Sequence, residues 1–257
     1  MRSIHSAAIV SPKAEIGENV RIGPYAVVED NVIIRDNAIV HSHAVIAGLT
    51  TIGESCEIFP GAVVGTRCQD LKYRGEKTYV EIGARTVIRE CVTVNSSTGE
   101  GSKTSIGEDC FLMAYSHVGH NCRLGNGVIM ANVASLAGHI LIEDQAVIGG
   151  LVGIHQFVHV GTLSMIGGLS KVNQDVPPYS LSDGVPCSVV DINAIGLRRH
   201  GFPPEARSLI RRAFKILFKS GLATSHAVEI VTSELPQTPE IRHLLEFIAN
   251  SERGVGR

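Results

Sequence analysis

Every sixth residue from Ile4 to Val172 is apolar with few exceptions, and that regularity sets what the chain can fold into. The series runs from Ile4, Val10, Ile16 and Ile22 through to Val64, returns as Ile82, Ile88 and Val94, and continues from Ile106 to Val172. Of the 29 positions in this register 26 are apolar, the others being Asp70, Glu76 and Glu100. A period of six is neither the 3.6 of a helix nor the 2 of a long strand. It calls for a very short strand and a turn, repeated. Three such units close a triangular coil of about 18 residues, and stacked coils form a parallel β-helix. Stability then comes from each coil packing on its neighbours. Two places before the apolar residue stand small or β-branched ones, such as Ala26, Val32, Ala38 and Cys56. One place after it glycine is frequent, as at Gly17, Gly53, Gly83 and Gly107, and is expected to serve corners with positive φ.

Two polar segments, 66–79 and 95–104, leave the pattern, and the period resumes in phase after each. Loops on a rigid coil often carry function. The β-helix is expected over 1–178. Pro177-Pro178 and Gly184-Val185-Pro186 then suggest a linker at 179–190. A helical domain is expected over 191–257. Its helices are read at 204–219, at about 225–235, and from Thr238 as N-cap with Pro239 in the first turn. Residues 196–221 carry Arg198, Arg199, Arg207, Arg211, Arg212, Lys215 and Lys219 against Glu205 alone. Such a concentration suits an acidic or phosphorylated partner better than a merely solvated face.

The net charge of −2 gives no basic surface for nucleic acid. No apolar run reaches the roughly 18 residues of a transmembrane span. Patterned sequence begins at once, without a charged and apolar leader, and the six cysteines contain no Cys-x-x-Cys pair. Reduced thiols and a cytoplasmic location are therefore expected.

In an 18-residue coil His120, Gly138 and Gln156 share one column, with His139 and His155 one place to either side and His117 close by. Adjacent coils are about 4.8 Å apart, so these groups gather on one edge. Imidazole is suited to general-base work. A glycine above it leaves a backbone N–H open to an oxyanion. Three readings remain at this point: an acyl-transfer enzyme, a metal-dependent lyase of the hexapeptide-repeat carbonic anhydrase kind, and a non-catalytic solenoid. His117-x-x-His120 fits no zinc-protease spacing.

The repeat resembles that of the hexapeptide-repeat acyltransferases, whose β-helix is left-handed. More specifically, Gln-Asp-Leu-Lys-Tyr (69–73), His-Val-Gly-His-Asn-Cys (117–122), Leu-Ala-Gly-His (136–139), Val-Gly-Ile-His-Gln-Phe (152–157), Gln-Asp-Val-Pro-Pro-Tyr (174–179) and Asn-Ala-Ile-Gly-Leu-Arg-Arg-His-Gly-Phe (193–202) are similar to segments of the UDP-N-acetylglucosamine O-acyltransferases, which open lipid A synthesis. The resemblance implies a mainly β protein, a left-handed parallel β-helix of hexapeptide repeats followed by a small α-helical domain. It implies His120 as general base and the Gly138 N–H as oxyanion donor. Asp70, Lys72, His117, His139, His155, Gln156, Asn193 and Arg199 would hold the sugar nucleotide and acyl group. Met165 and Gly168 would measure the acyl chain, and Arg211, Lys215 and Lys219 would meet acyl carrier protein. A homotrimer with sites between neighbouring β-helices, and no cofactor or metal, complete the implication. Three positions depart from the family pattern: Asn121 in place of Asp, Asn95 in place of His, and Ile195 in place of an acidic residue. With those departures, N-acylation of a 3-amino sugar nucleotide is the nearest alternative.

Overall fold

In the computed structural model, which describes residues 2–256, the six-residue period becomes a three-sided prism. Strands of two to four residues stack into sheets of 11, 9 and 8 strands, here called faces 1, 2 and 3. The coil-to-coil pairs are parallel, and where the coil is uninterrupted the step is 18 residues, as in Ser3 with Arg21 and His117 with Ser135. Glu57 pairs with Val87 and Val87 with Phe111, steps of 30 and 24. The two loops thus add whole multiples of six, and the inward register survives them.

Register residues such as Ile34, Ile46, Ile58, Leu112 and Ile148 are fully buried, and Ala26, Ala38, Cys56 and Ala62 fill the space beside them. Burying one such Ile or Leu contributes roughly 1.5–3 kcal/mol. Ile4 is 45% exposed because no coil lies beneath the first.

Apart from Gly65, with φ 86°, the glycines one place after the apolar residue do a different job from the one expected. The left-handed corner residue is the third after the apolar one, as in Asn19, Tyr25, Asn121, Val133, His139 and Leu151, with φ between 56° and 64°. That conformation costs a non-glycine about 1–2 kcal/mol. It also turns the corner N–H onto the preceding coil, as from His139 to His120 O at 2.9 Å and from Leu151 to Asn132 O at 3.0 Å. The glycine following the apolar residue is needed for closeness. A Cβ on Gly83 would lie within 2.4 Å of Gly107 backbone, and one on Gly107 within 2.4 Å of Gly125 backbone.

The expected linker is instead a structured hairpin. Ser180–Asp183 pairs antiparallel with Ser188–Ile192 and extends face 1, with Ser180 and Ser182 buried. A turn rich in Gly and Pro reads the same whether it joins domains or two strands. Four helices follow: α1 (Ala194–Arg199), α2 (Pro204–Lys219), α3 (Thr224–Glu234) and α4 (Pro239–Ala249). Thr238 stands at the N-cap of α4, but its side chain makes no cap bond. Ile210, Phe214, Leu217, Val231, Ile241 and Leu244 form a second core with Tyr179 and Val189 of the hairpin region. α4 is clasped to face 3. The Phe247 ring lies 4.4 Å from that of His159, and Glu143 sits between His159 Nε2 at 2.9 Å and His243 Nε2 at 3.1 Å. Among the described residues no helix is long and apolar enough to cross a membrane.

Candidate active site

The corner joining faces 2 and 3 carries Asn121, His139 and Phe157 in its left-handed positions, one per coil. His120 precedes this corner and is only 7% exposed. Its Cε1–Nε2 edge fills the space a side chain at 138 would need: a Cβ there would fall 2.3 Å from both atoms. Gly138 is thus the residue that gives the imidazole room. Among the described residues the Gly138 N–H has no hydrogen-bond partner.

His120 and Gly138 line a cavity of about 450 Å³ together with His117, Gln156, Asp70, Lys72 and Asn95. Six of the residues named from the sequence are therefore brought together. The first loop supplies Asp70, whose Oδ2 is 3.9 Å from His120 Nε2 and whose Oδ1 accepts the Lys72 N–H at 2.8 Å. That backbone bond holds the Asp70 carboxyl below its usual range; burial opposes it and His120 assists. His117 Nδ1 lies 2.7 Å from Thr93 Oγ1, and burial, helped by His120, pushes the His117 imidazole down. His139 does not line the cavity itself. Its ring meets that of His120 edge-on at 5.1 Å and stacks on Phe157 at 4.8 Å, and burial and then His120 lower it too. His155 lines an adjoining groove of about 410 Å³ on face 2, floored by Ser135 and Gly153. His117 and Ala137 border both hollows, so the two are neighbours on the same edge of the prism.

Other residues named from the sequence stand elsewhere in the single chain. Asn193 caps α1 through Gly196 N–H and donates to Leu163 O, at the corner between faces 3 and 1. Arg199 ends the same helix and is exposed. Met165 is half-buried on face 1, with Gly168 in the turn after it. On α2, Lys215 is exposed, whereas Arg211 pairs with Asp191 at 3.4 Å and Lys219 Nζ donates to Val189 O at 2.8 Å.

Sequence reasoning missed three participants. Phe157 stands one coil beyond His139, 18 residues on, at the same left-handed corner. Thr93 orients His117 only because the second loop shifts the face 2 register to 24. Asn95 was noted only as a departure. In the structure it lines the cavity at 4% exposure, and its Oδ1 has no partner. A buried carbonyl oxygen without a partner beside a cavity is an unused acceptor. Among the described residues no three His, Cys, Asp or Glu side chains group as a metal site would require.

Comparison with known proteins places these features. Residues 175–256 match the family model "Udp N-acetylglucosamine O-acyltransferase; Domain 2", and 13–48 and 103–134 match the bacterial transferase hexapeptide repeat. The chain is 48% identical over 258 residues to the acyl-[acyl-carrier-protein]–UDP-N-acetylglucosamine O-acyltransferase of Thermodesulfovibrio yellowstonii, covering all of both chains. The solved UDP-N-acetylglucosamine acyltransferase of Bacteroides fragilis is 42% identical, with a TM-score of 0.96 over 99% of this chain and 100% of that one. Its Arabidopsis counterpart is 32% identical, with a TM-score of 0.89 over 99% and 100%. A prism of opposite hand could not superpose so closely, and the coil is a left-handed β-helix. With solenoid, hairpin and helical cap all matched from end to end, the chain belongs to the UDP-N-acetylglucosamine O-acyltransferase family.

Proposed function

We propose that the protein transfers an acyl group, a 3-hydroxyacyl one, from acyl carrier protein to the 3-hydroxyl of UDP-N-acetylglucosamine, the first step of lipid A synthesis. The observation that carries this reading is the His120 Nε2 edge packed on Gly138 inside a cavity that also holds Asp70 and Lys72. His120 Nε2 takes the proton of the 3-hydroxyl as that oxygen attacks the thioester carbonyl. Charge develops on the carbonyl oxygen and is met by the Gly138 N–H. The C–S bond then breaks, the ester C–O bond remains, and the imidazolium returns its proton to the departing thiolate of the carrier. Asp70, Lys72, His117, His139 and Gln156 hold the sugar, and the buried Asn95 Oδ1 accepts from one of its hydroxyl or amide hydrogens. The acyl chain runs from His120 past His155 along the small-residue groove of face 2. Relatives 41–48% identical to this chain are named as O-acyltransferases, which favours an ester over the amide of a 3-amino sugar.

The assembly proposed is a homotrimer. Tyr115, Val133, Leu151 and Leu169 form a column of exposed apolar side chains along the corner between faces 1 and 2, suited to burial against a second copy. In such an assembly Asn193 and Arg199 of one subunit would complete the nucleotide site of the next, and Met165 and Gly168 would close the acyl groove. Arg guanidinium suits a diphosphate by its forked donors. Lys215, flanked on α2 by Arg211 and Lys219, would meet the acidic carrier. The cytoplasm is the proposed compartment. All six cysteines are free, and burial pushes the Cys122 thiol up to about 12.

The direct test supplies acyl carrier protein thioesters of several lengths with UDP-N-acetylglucosamine or its 3-amino analogue, and weighs the products. Ester formation on UDP-N-acetylglucosamine is expected. Product with the amino sugar alone would contradict the reading.

A further inference from the structure

The six residues of α1 are pinned to the solenoid at both ends, and the two pins fall on one column of the prism. The corner between faces 3 and 1 carries Gly127, Gln145 and Leu163 in left-handed conformation, 18 residues apart and one per coil. At the start of α1 the Asn193 amide is engaged twice. Its Nδ2 donates to Leu163 O at 2.8 Å, and its Oδ1 accepts the Gly196 N–H at 3.0 Å. At the end of α1, His200 reaches the coil before. Its Nε2 lies 2.7 Å from Gln145 Oε1, and its Nδ1 lies 2.9 Å from Gly196 O. A backbone carbonyl oxygen only accepts, so Nδ1 carries a hydrogen. The Gln145 amide has little freedom of its own: it packs over Gly127, where a Cβ would stand 2.8 Å from the Gln145 Nε2. Leu197 is fully buried beneath the helix, while Ile195, Arg198 and Arg199 are exposed.

We infer that His200 and Gln145 are positioning residues, whose contact fixes the heading of α1 along this corner and so aims Arg199 at the sugar nucleotide. This rests on the nucleotide-binding reading of Arg199. A helix of six residues does not hold its own shape in water. Leu197 sets its depth and Asn193 holds its first turn, but a rod held at one end still pivots. The second pin, one coil away and about 4.8 Å along the prism, removes that pivot. Arg199 directly precedes His200, so whatever moves the pin moves the guanidinium. Among the described residues the Arg199 guanidinium has no hydrogen-bond or ion-pair partner, and its direction is the direction of the helix. A forked donor meets a diphosphate well in few orientations, and a backbone already ordered lowers the cost of binding.

The test measures steady-state kinetics with UDP-N-acetylglucosamine and saturating 3-hydroxyacyl carrier protein for the wild type, Gln145→Ala, His200→Ala, the double variant and Arg199→Ala. Amide hydrogen exchange over 194–201 is read alongside. Each single alanine variant at 145 or 200 is expected to raise KM for the sugar nucleotide by about 3- to 10-fold, as for one surface hydrogen bond, with kcat little changed. Exchange should quicken over 194–201 and stay as in the wild type over 204–219. The double variant should be no worse than either single one, because both remove the same contact. His200→Gln keeps a donor and an acceptor at similar reach and is expected to recover most of the affinity. Additive losses in the double variant, or a wild-type KM in both single variants while Arg199→Ala is impaired, would overturn the inference. A wild-type kcat/KM in Arg199→Ala would instead strike the nucleotide-binding reading, and the inference with it.

Discussion

At the scale of single residues, the site depends on what is missing from Gly138 as much as on what His120 supplies. A methyl group at 138 would stand 2.3 Å from Cε1 and Nε2, and the imidazole would have to swing away from the cavity. Gly138→Ala is expected to lower kcat on the order of 100-fold, the cost of about 1 Å of misplacement. Its melting temperature should stay within a few degrees of the wild type, measurable by calorimetry beside the activity assay. Asn95 makes a complementary case. Asn95→Ala removes a buried acceptor that has no protein partner and only a long Nδ2 bond to Thr66 Oγ1 at 3.5 Å, so stability should change little. KM for the sugar nucleotide should rise by about 10-fold, as for one lost hydrogen bond. A normal KM would show that Asn95 faces no substrate group. The column of His120, Gly138 and Gln156 was legible from spacing because 18-residue winding converts sequence distance into height. The orienting partner Thr93 was not, because it meets His117 across the second loop, where the step changes.

At the scale of elements, the solenoid is readable because its period is written in the inward residues, which burial enforces coil after coil. The 180–192 hairpin escaped notice because its turn chemistry is shared with linkers. The clasp between face 3 and α4 escaped because it joins residues about 100 positions apart, with no local pattern. That clasp has a pH signature. Glu143 is pushed down to about 2 by its two histidine partners and the Thr162 N–H, which outweigh burial, and His243 is raised chiefly by Glu143. A lowered carboxyl stabilises the fold fully above its unfolded value near 4.5, and the benefit fades as pH falls toward 2. A raised imidazole contributes fully below 6.5, and its contribution is lost as pH rises through the folded value. The two describe one interaction, strongest between those limits. Glu143→Gln is expected to lower the melting temperature by about 3–6 °C at pH 5.5 and by less at pH 8.5, read by differential scanning calorimetry. An equal loss at both values would remove the ionic account.

At the scale of the whole molecule, one chain does not bring all its family residues to one place. His120 stands at the corner of faces 2 and 3, and Asn193 hydrogen-bonds at the corner of faces 3 and 1. The proposed association rests on resemblance, because sequence spacing describes one coil and carries nothing about which corners meet. If neighbouring subunits complete each site, inactive His120→Ala and inactive Arg199→Ala should regain activity when unfolded and refolded together, because some mixed interfaces pair an intact His120 with an intact Arg199. No recovery, with mixed trimers shown by mass spectrometry, would place both residues in the same subunit's site. The central claim remains that three-sided winding makes His120 a proton acceptor beside an amide donor. The most direct measurement of it is the rate of ester formation by His120→Ala with UDP-N-acetylglucosamine and 3-hydroxyacyl carrier protein. A fall on the order of 10² to 10⁴ with the fold intact is expected; a rate equal to the wild type would contradict the claim.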